Sequence, residues 1–188
     1  MADQLKVLVI CGSLRKGSYN AALTRALPAL APPDMKLIPP PPFGAFPLYN
    51  ADVQEASGFP GPANDLAYAI RAADGVLFVS PEYNWSMPGV LKNAIDWVSR
   101  IKDQPFEGKP VAIQSCSTGI LGGARMQYHW RMSMTFLKAF IFGTPEVFVS
   151  QAQNKFDKDT LELKDQMTKD AVKLQLAAFA KFIAKVKA

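Results

Sequence analysis

The stretch Gly12-Ser-Leu-Arg-Lys-Gly-Ser-Tyr-Asn20 gathers, in one short loop, the donors that an anion needs. Ser13 and Ser18 carry hydroxyls, Asn20 carries an amide, and Arg15 carries a planar fork of N–H groups. Gly12 and Gly17 let the backbone bend and come close to a bound group. A helical pattern follows directly, and a helix N-terminus adds free N–H groups and the positive end of a dipole. One terminal phosphate would satisfy this set. The loop is not G-x-G-x-x-G, which disfavours a pyrophosphate site, and not G-x-x-x-x-G-K-[ST], which excludes a triphosphate loop. A low-molecular-weight phosphatase loop would need an Arg six residues after its nucleophilic Cys, and Gly17 stands there after Cys11. A monophosphate remains.

A second segment, Pro81-Glu-Tyr-Asn-Trp-Ser-Met-Pro-Gly89, offers a different chemistry. Tyr83 and Trp85 supply flat amphipathic surface, and Asn84 supplies hydrogen bonds, as a planar heterocycle with polar edges requires. Pro81 and Pro88 restrict the loop and lower the entropy lost on binding. Glu82 has no evident acid–base partner and reads as a structural or hydrogen-bonding residue. The third segment, Ser115-Cys-Ser-Thr-Gly-Ile-Leu-Gly-Gly123, brings hydroxyls and glycines whose backbone can approach the edge of such a ring.

Each segment follows a short apolar run, and those runs set the architecture. Residues 5–11, 35–38, 75–80, 110–116 and 146–150 read as strands, and most lack the alternation of a half-exposed sheet. Helical patterns cover residues 18–30, 63–73, 88–101 and 124–142, and a closing helix starts near residue 159. Its inner stripe reads as Leu163, Met167, Leu174, Ala178, Phe182 and Val186. Pro39 to Pro42 open an irregular surface stretch that runs to about residue 62. Strands buried on both faces and alternating with helices predict an α/β domain over residues 1–188. Its architecture is a flavodoxin-like three-layer sandwich, a five-stranded parallel sheet in the order 2-1-3-4-5 with helices on both faces. Ligands of such sheets sit at the carboxyl ends of the strands, beside the point where the order reverses. All three segments belong there.

Composition sets the outer bounds. With 21 Lys+Arg against 16 Asp+Glu the chain is only mildly basic at +5, and it has no run of five basic residues. That argues for small anionic partners and no nucleic acid. No apolar stretch approaches the roughly 18 residues of a membrane span, and the N-terminus lacks the pattern of a secretion signal. The expectation is a cytoplasmic protein that does not engage a membrane. Cys11 and Cys116 stand far apart and read as buried strand-end thiols, and the lone His129 as a surface or interface residue. No zinc spacing and no Ser-His-Asp or Cys-His set occurs, so no metal site and no catalytic side chain are expected.

These segments resemble the NADPH-dependent FMN reductase family, most closely its bacterial chromate and quinone reductase branch, some members of which are described as azoreductases. The residues that carry the likeness are Gly12 to Asn20, the run from Pro81 to Trp97, and Gly122-Gly-Ala-Arg125. The resemblance implies one non-covalent FMN, with NADPH or NADH as donor. It assigns the phosphate to Ser13, Arg15, Ser18 and Asn20, with Lys16, Gly17 and Tyr19 in the same loop. It places the ring against Pro81, Glu82, Tyr83, Asn84 and Trp85, with Ser117 near the far edge. Trp85 departs from the Tyr more often found there, which bears on the shape of the substrate mouth. The implied reaction is a ping-pong transfer of hydride equivalents to quinones, or to chromate, azo compounds or free flavin. Two other readings are a flavodoxin-type electron carrier that does not turn over pyridine nucleotide and a nucleotide-binding regulatory module. The apolar residues spread around helices 88–101 and 124–142 point to a homodimer, and the resemblance extends this to a homotetramer. Arg125, Tyr128 and Glu146 are candidates for a polar contact between subunits.

Overall fold

The computed structural model describes residues 4–188. The sheet is built from β1 (Leu5–Cys11), β2 (Met35–Ile38), β3 (Gly75–Ser80) and β4 (Pro110–Cys116), all parallel and in the order β2-β1-β3-β4. Two short strands, β5 (Phe140–Ile141) and β6 (Val147–Val149), share the lane beyond β4. β5 pairs with the start of β4 at Pro110 and Val111, and β6 with its end from Gln114 to Cys116. The expected order 2-1-3-4-5 is therefore present, with its fifth lane split in two.

Alternation along the strands divides the core. Val7, Val9, Leu77, Val79 and Ala112 face α1 (Tyr19–Ala26) and α6 (Gln166–Lys187). Leu8, Ile10, Val76, Phe78 and Ile113 face α3 (Gly61–Ala72), α4 (Gly89–Val98) and α5 (Ala124–Phe136), after α2 (Ala51–Ser57) has covered none of the core. With both faces covered, every residue of β3 and β4 is buried.

Several expected boundaries shift, each for a local reason. The irregular stretch to residue 62 contains α2, started by Asn50, whose Oδ1 accepts from the Asp52 amide at 2.9 Å. The helix expected to reach residue 142 stops at Phe136. Lys138 takes φ +58°, the Lys138 amide donates to Thr135 and the Ala139 amide donates to Met134. That is a Schellman stop made without glycine, which is why the sequence conceals it.

The closing helix begins at Gln166, not near 159, because Asp165 caps it and accepts from the Thr168 amide at 2.8 Å. Its inner face is Val172, Leu176, Phe179 and Ile183, not the expected stripe, and Met167 and Leu174 lie exposed. Gln175 belongs to the buried side because its amide donates to Pro145 O and accepts from Gln114 Nε2, both at 2.9 Å.

The apolar residues of α4 need no partner subunit. Leu91, Ala94, Ile95, Trp97 and Val98 are all buried within the chain. Part of that cover is the proline-rich stretch, where Trp97 Nε1 donates to Pro47 O at 2.8 Å and Tyr49 meets Trp97 edge-on at 5.1 Å. α5 differs. Tyr128, Met132 and Phe136 are 54%, 65% and 84% exposed. Glu146 is occupied within the chain, accepting from Arg131 Nη2 at 3.0 Å.

Candidate cofactor site

β1, β3 and β4 end side by side, so the turns after them converge. Between them lies a cavity of about 160 Å³. The first turn lends it Ser13, Arg15, Ser18, Tyr19 and Asn20, the second Pro81, Glu82 and Tyr83, and the third Cys116, Ser117 and Thr118. Lys16, Gly17, Asn84 and Trp85 are exposed residues of the same turns but do not line it. Cys116 and Thr118 were not singled out as ligands in the sequence, although the turn that holds them was.

The first turn has the chemistry of an anion site. Ser18 caps α1, its Oγ accepting from the Asn20 and Ala21 amides at 3.2 and 3.3 Å. Accepting twice leaves its hydroxyl hydrogen free to donate, so capping and ligand binding are compatible. The first turn of α1 contains no acidic residue. Among the described residues the amides of Arg15, Lys16, Gly17 and Tyr19 have no protein acceptor. Free amides, a positive helix end and the Arg15 fork fit a phosphate. Asn20 plays a further part. Buried, it donates from Nδ2 to Cys116 O at 2.8 Å and accepts from the Cys116 amide at 3.0 Å. It thereby clamps the first turn to the third and keeps one amide hydrogen in reserve. Tyr19 leans on Phe156 with ring centroids 5.4 Å apart.

The second turn is a tight hairpin. The Tyr83 amide donates to Ser86 O at 3.0 Å and the Ser86 amide donates to Tyr83 O at 2.9 Å. Between them Asn84 and Trp85 take φ +50° and +64°. Asn tolerates this region, whereas for Trp it is uncommon and strained. The hairpin presents Tyr83 and Trp85 outward, 48% and 66% exposed. Arg125 lies over the Trp85 ring at 4.1 Å. Glu82 accepts from the Met126 amide at 3.0 Å, with Arg125 at 4.0 Å. It supplies the negative charge that the N-terminus of α5 otherwise lacks, since Gly123 offers no side-chain cap.

The third turn is shaped by Gly122 and Gly123, at φ +60° and +87°. A Cβ on Gly123 would stand 2.8 Å from Ser115 Cβ, so the turn closes only with hydrogen there. Ser115 Oγ then donates to Gly122 O at 2.6 Å and accepts from Gln127 Nε2 at 2.7 Å. Ser117 Oγ accepts from the Gly119 amide at 3.1 Å.

Cys116 borders the cavity, but burial pushes its thiol up to about 12, against a lesser opposite pull from Lys155. It stays protonated and unreactive near neutrality. In the native protein at pH 8, iodoacetamide should label Cys116 at least about tenfold more slowly than in urea, read by peptide mass spectrometry. Equal rates would contradict its burial. Cys11 is half-buried rather than buried, a correction to the sequence expectation.

The family model for NADPH-dependent FMN reductases matches residues 5–154. The chain is similar to a quinone reductase of Escherichia coli, 51% identical over the whole of both chains. It is also similar to an NAD(P)H-dependent FMN reductase of Pseudomonas aeruginosa, 46% identical over the whole of both. Among solved structures, the flavoenzyme NAD(P)H:(acceptor) oxidoreductase FerB of Paracoccus denitrificans superposes with a TM-score of 0.85 at 31% identity, over 96% of this chain and 98% of that one.

Proposed function

Since the chain belongs to the NADPH-dependent FMN reductase family, we propose that its three strand-end turns hold FMN and pass electrons from NAD(P)H to quinones. The protein is an FMN-dependent NAD(P)H oxidoreductase. The observation that carries the site assignment is the convergence of free amides, Arg15 and an exposed aromatic hairpin on one cavity at the switch point of the sheet.

When bound, FMN supplies the hydride chemistry, accepting from a reduced nicotinamide and giving to an oxidant. The chain's own residues bind and orient. Ser13, Arg15, Ser18 and the amides of Lys16, Gly17 and Tyr19 hold the phosphate, and the reserved Asn20 hydrogen completes the set. Pro81, Glu82, Tyr83, Asn84 and Trp85 bound the ring, with Ser117 on the opposite turn. A side-chain nucleophile is unnecessary in this scheme, and Glu82 is engaged as the anion at the head of α5.

Steady-state NADPH oxidation with 1,4-benzoquinone, varied in both substrates, tests this reading. Parallel double-reciprocal lines that require FMN are expected. A protein that holds FMN yet oxidises no NADPH would be an electron carrier and would contradict it.

The acceptor range follows from the mouth. Arg125 is the cation beside the hairpin, its side chain 43% exposed. It favours anionic oxidants such as chromate over neutral ones. Arg125→Ala should lower kcat/KM for chromate about three- to tenfold more than for benzoquinone, measured at low ionic strength. Equal losses would remove the claim. Azo compounds and free flavin, planar and aromatic, fit the same open platform.

The exposed row Tyr128, Met132 and Phe136 is the face on which a second copy docks, giving a homodimer or, by pairing of dimers, a homotetramer. A monomer mass by light scattering at every concentration would refute this. Among the described residues no helix is long and apolar enough to cross a membrane. Dependence on NAD(P)H supports a cytoplasmic site of action.

A further inference from the structure

We propose that His129 is a positioning residue for the aromatic hairpin, acting through Ser86. The inference rests on the reading of that hairpin as the platform for the FMN ring.

The hairpin holds two successive non-glycine residues in left-handed backbone, Asn84 and Trp85. Such a conformation persists only where its surroundings enforce it. Its two backbone hydrogen bonds close the turn but do not fix its place above the sheet. The fixing contacts come from α5. The Met126 amide donates to Glu82 at the base of the hairpin, and Arg125 lies over Trp85 at its tip. His129 Nδ1 and Ser86 Oγ, 2.9 Å apart, share a hydrogen bond at the residue that closes the turn. Ser133 Oγ, one turn further on, lies 3.8 Å from Met87 Sδ. Positions 125, 129 and 133 recur every four residues, so they form one row along the helix facing the second turn.

The helix that carries this row is rooted in the core. Trp130 is fully buried and stacked on Phe78 of β3, with ring centroids 5.0 Å apart and planes at 5°. Gln127 donates to Ser115 Oγ and Val147 O. α5 is therefore a fixed rail, and the hairpin is the element that needs placing. With the proton on Nε2, the Ser86 hydroxyl donates to His129 Nδ1, and the imidazole sets the height of the closing residue. Arg125 and Trp85 are both exposed, so their contact is the weaker restraint. The half-buried His129–Ser86 bond ties the closing residue of the turn to the rail, as the Met126–Glu82 bond ties its base.

The test is FMN titration of the full-length protein, followed by quenching of flavin fluorescence and by the visible spectrum of the bound flavin. His129→Leu keeps bulk but removes one partner of the bond, and Ser86→Ala removes the other. Each should raise the FMN dissociation constant about three- to tenfold, the range expected for one neutral hydrogen bond. Both should alter the bound spectrum in the same way, and the double variant should add little to either. His129→Asn places an amide oxygen near the position of Nδ1 and should restore affinity to within about twofold. Should His129→Leu and Ser86→Ala leave affinity and spectrum unchanged while shifting only the thermal midpoint, the role is structural and the proposal is overturned. If His129→Leu does not fold, Ser86→Ala, a change at a partly exposed loop position, decides alone. Wild-type protein that binds FMN beside unaffected variants overturns this inference only, and wild-type protein that binds none overturns the site assignment with it.

Discussion

Gly123→Ala is expected to destabilise the protein by about 2–5 kcal/mol and to abolish tight flavin binding. About 1–2 kcal/mol comes from forcing an alanine into left-handed backbone, where φ is +87°. The remainder, roughly 1–3 kcal/mol, comes from the added methyl, which would stand 2.8 Å from Ser115 Cβ and 3.1 Å from its Oγ. Neither neighbour is the far end of a flexible chain. Ser115 is fully buried and joins Gly122 O to Gln127 Nε2, so its displacement opens the third turn and loosens α5 together. Gly89→Ala is the matched control, because a methyl there meets nothing within 4 Å. Urea unfolding of the three proteins checks the claim. A Gly123→Ala variant within about 0.5 kcal/mol of wild type would show that the turn can relax, contrary to this account.

Arg15→Ala carries the second large effect. Charge-assisted hydrogen bonds are worth about 1.5–3 kcal/mol, so loss of the guanidinium should weaken FMN binding roughly ten- to a hundredfold. The comparison that gives this meaning is Lys16→Ala. Lys16 carries the same charge one residue along, but its side chain does not line the cavity. Its loss should cost less than about threefold, and that loss should vanish at high salt. Riboflavin, which lacks the phosphate, should bind wild type and Arg15→Ala alike. Equal effects of the two substitutions on FMN would mean that the loop acts as a diffuse positive surface rather than as a site.

The sequence is most legible where one local rule decides. Nearly continuous apolar runs mark β1, β3 and β4 to the residue, because burial on both faces removes most of the alternation. The turns after them are legible for a related reason, since glycine, serine, proline and aromatic residues have no other cause to gather at strand ends. Legibility fails where a side chain makes an unusual local choice or answers to a distant residue. Lys138 ends α5 in a conformation that glycine normally takes, so the helix appears to run on. Gln175 looks solvent-facing until Gln114 and Pro145 are seen beside it, and with it the stripe of α6 turns away from Met167 and Leu174.

The site divides in the same way. Ser13, Arg15 and Ser18 carry their chemistry in their own loop, and the structure brings them to one cavity. Asn20 reaches across 96 positions to Cys116, a bond that no spacing rule reveals. Glu82 has no partner in sequence because its partner is a backbone amide of α5. His129 gives no local signal at all, since its meaning lies in Ser86, 43 positions earlier. The proline-rich stretch shows the opposite case. It reads as an irregular surface stretch, and by shielding Trp97 it removes α4 from the case for a second subunit and leaves α5 to carry it.

In the proposed reading the reactive group is one the turns hold rather than one they contain, so the sequence need offer no catalytic side chain. The most direct test is the visible spectrum of the full-length protein with FMN, recorded under anaerobic conditions before and after one equivalent of NADPH. Flavin bands that bleach on addition of NADPH and return when benzoquinone is added are expected. Bands that persist after NADPH, or a protein that retains no flavin at all, would contradict the proposed reading.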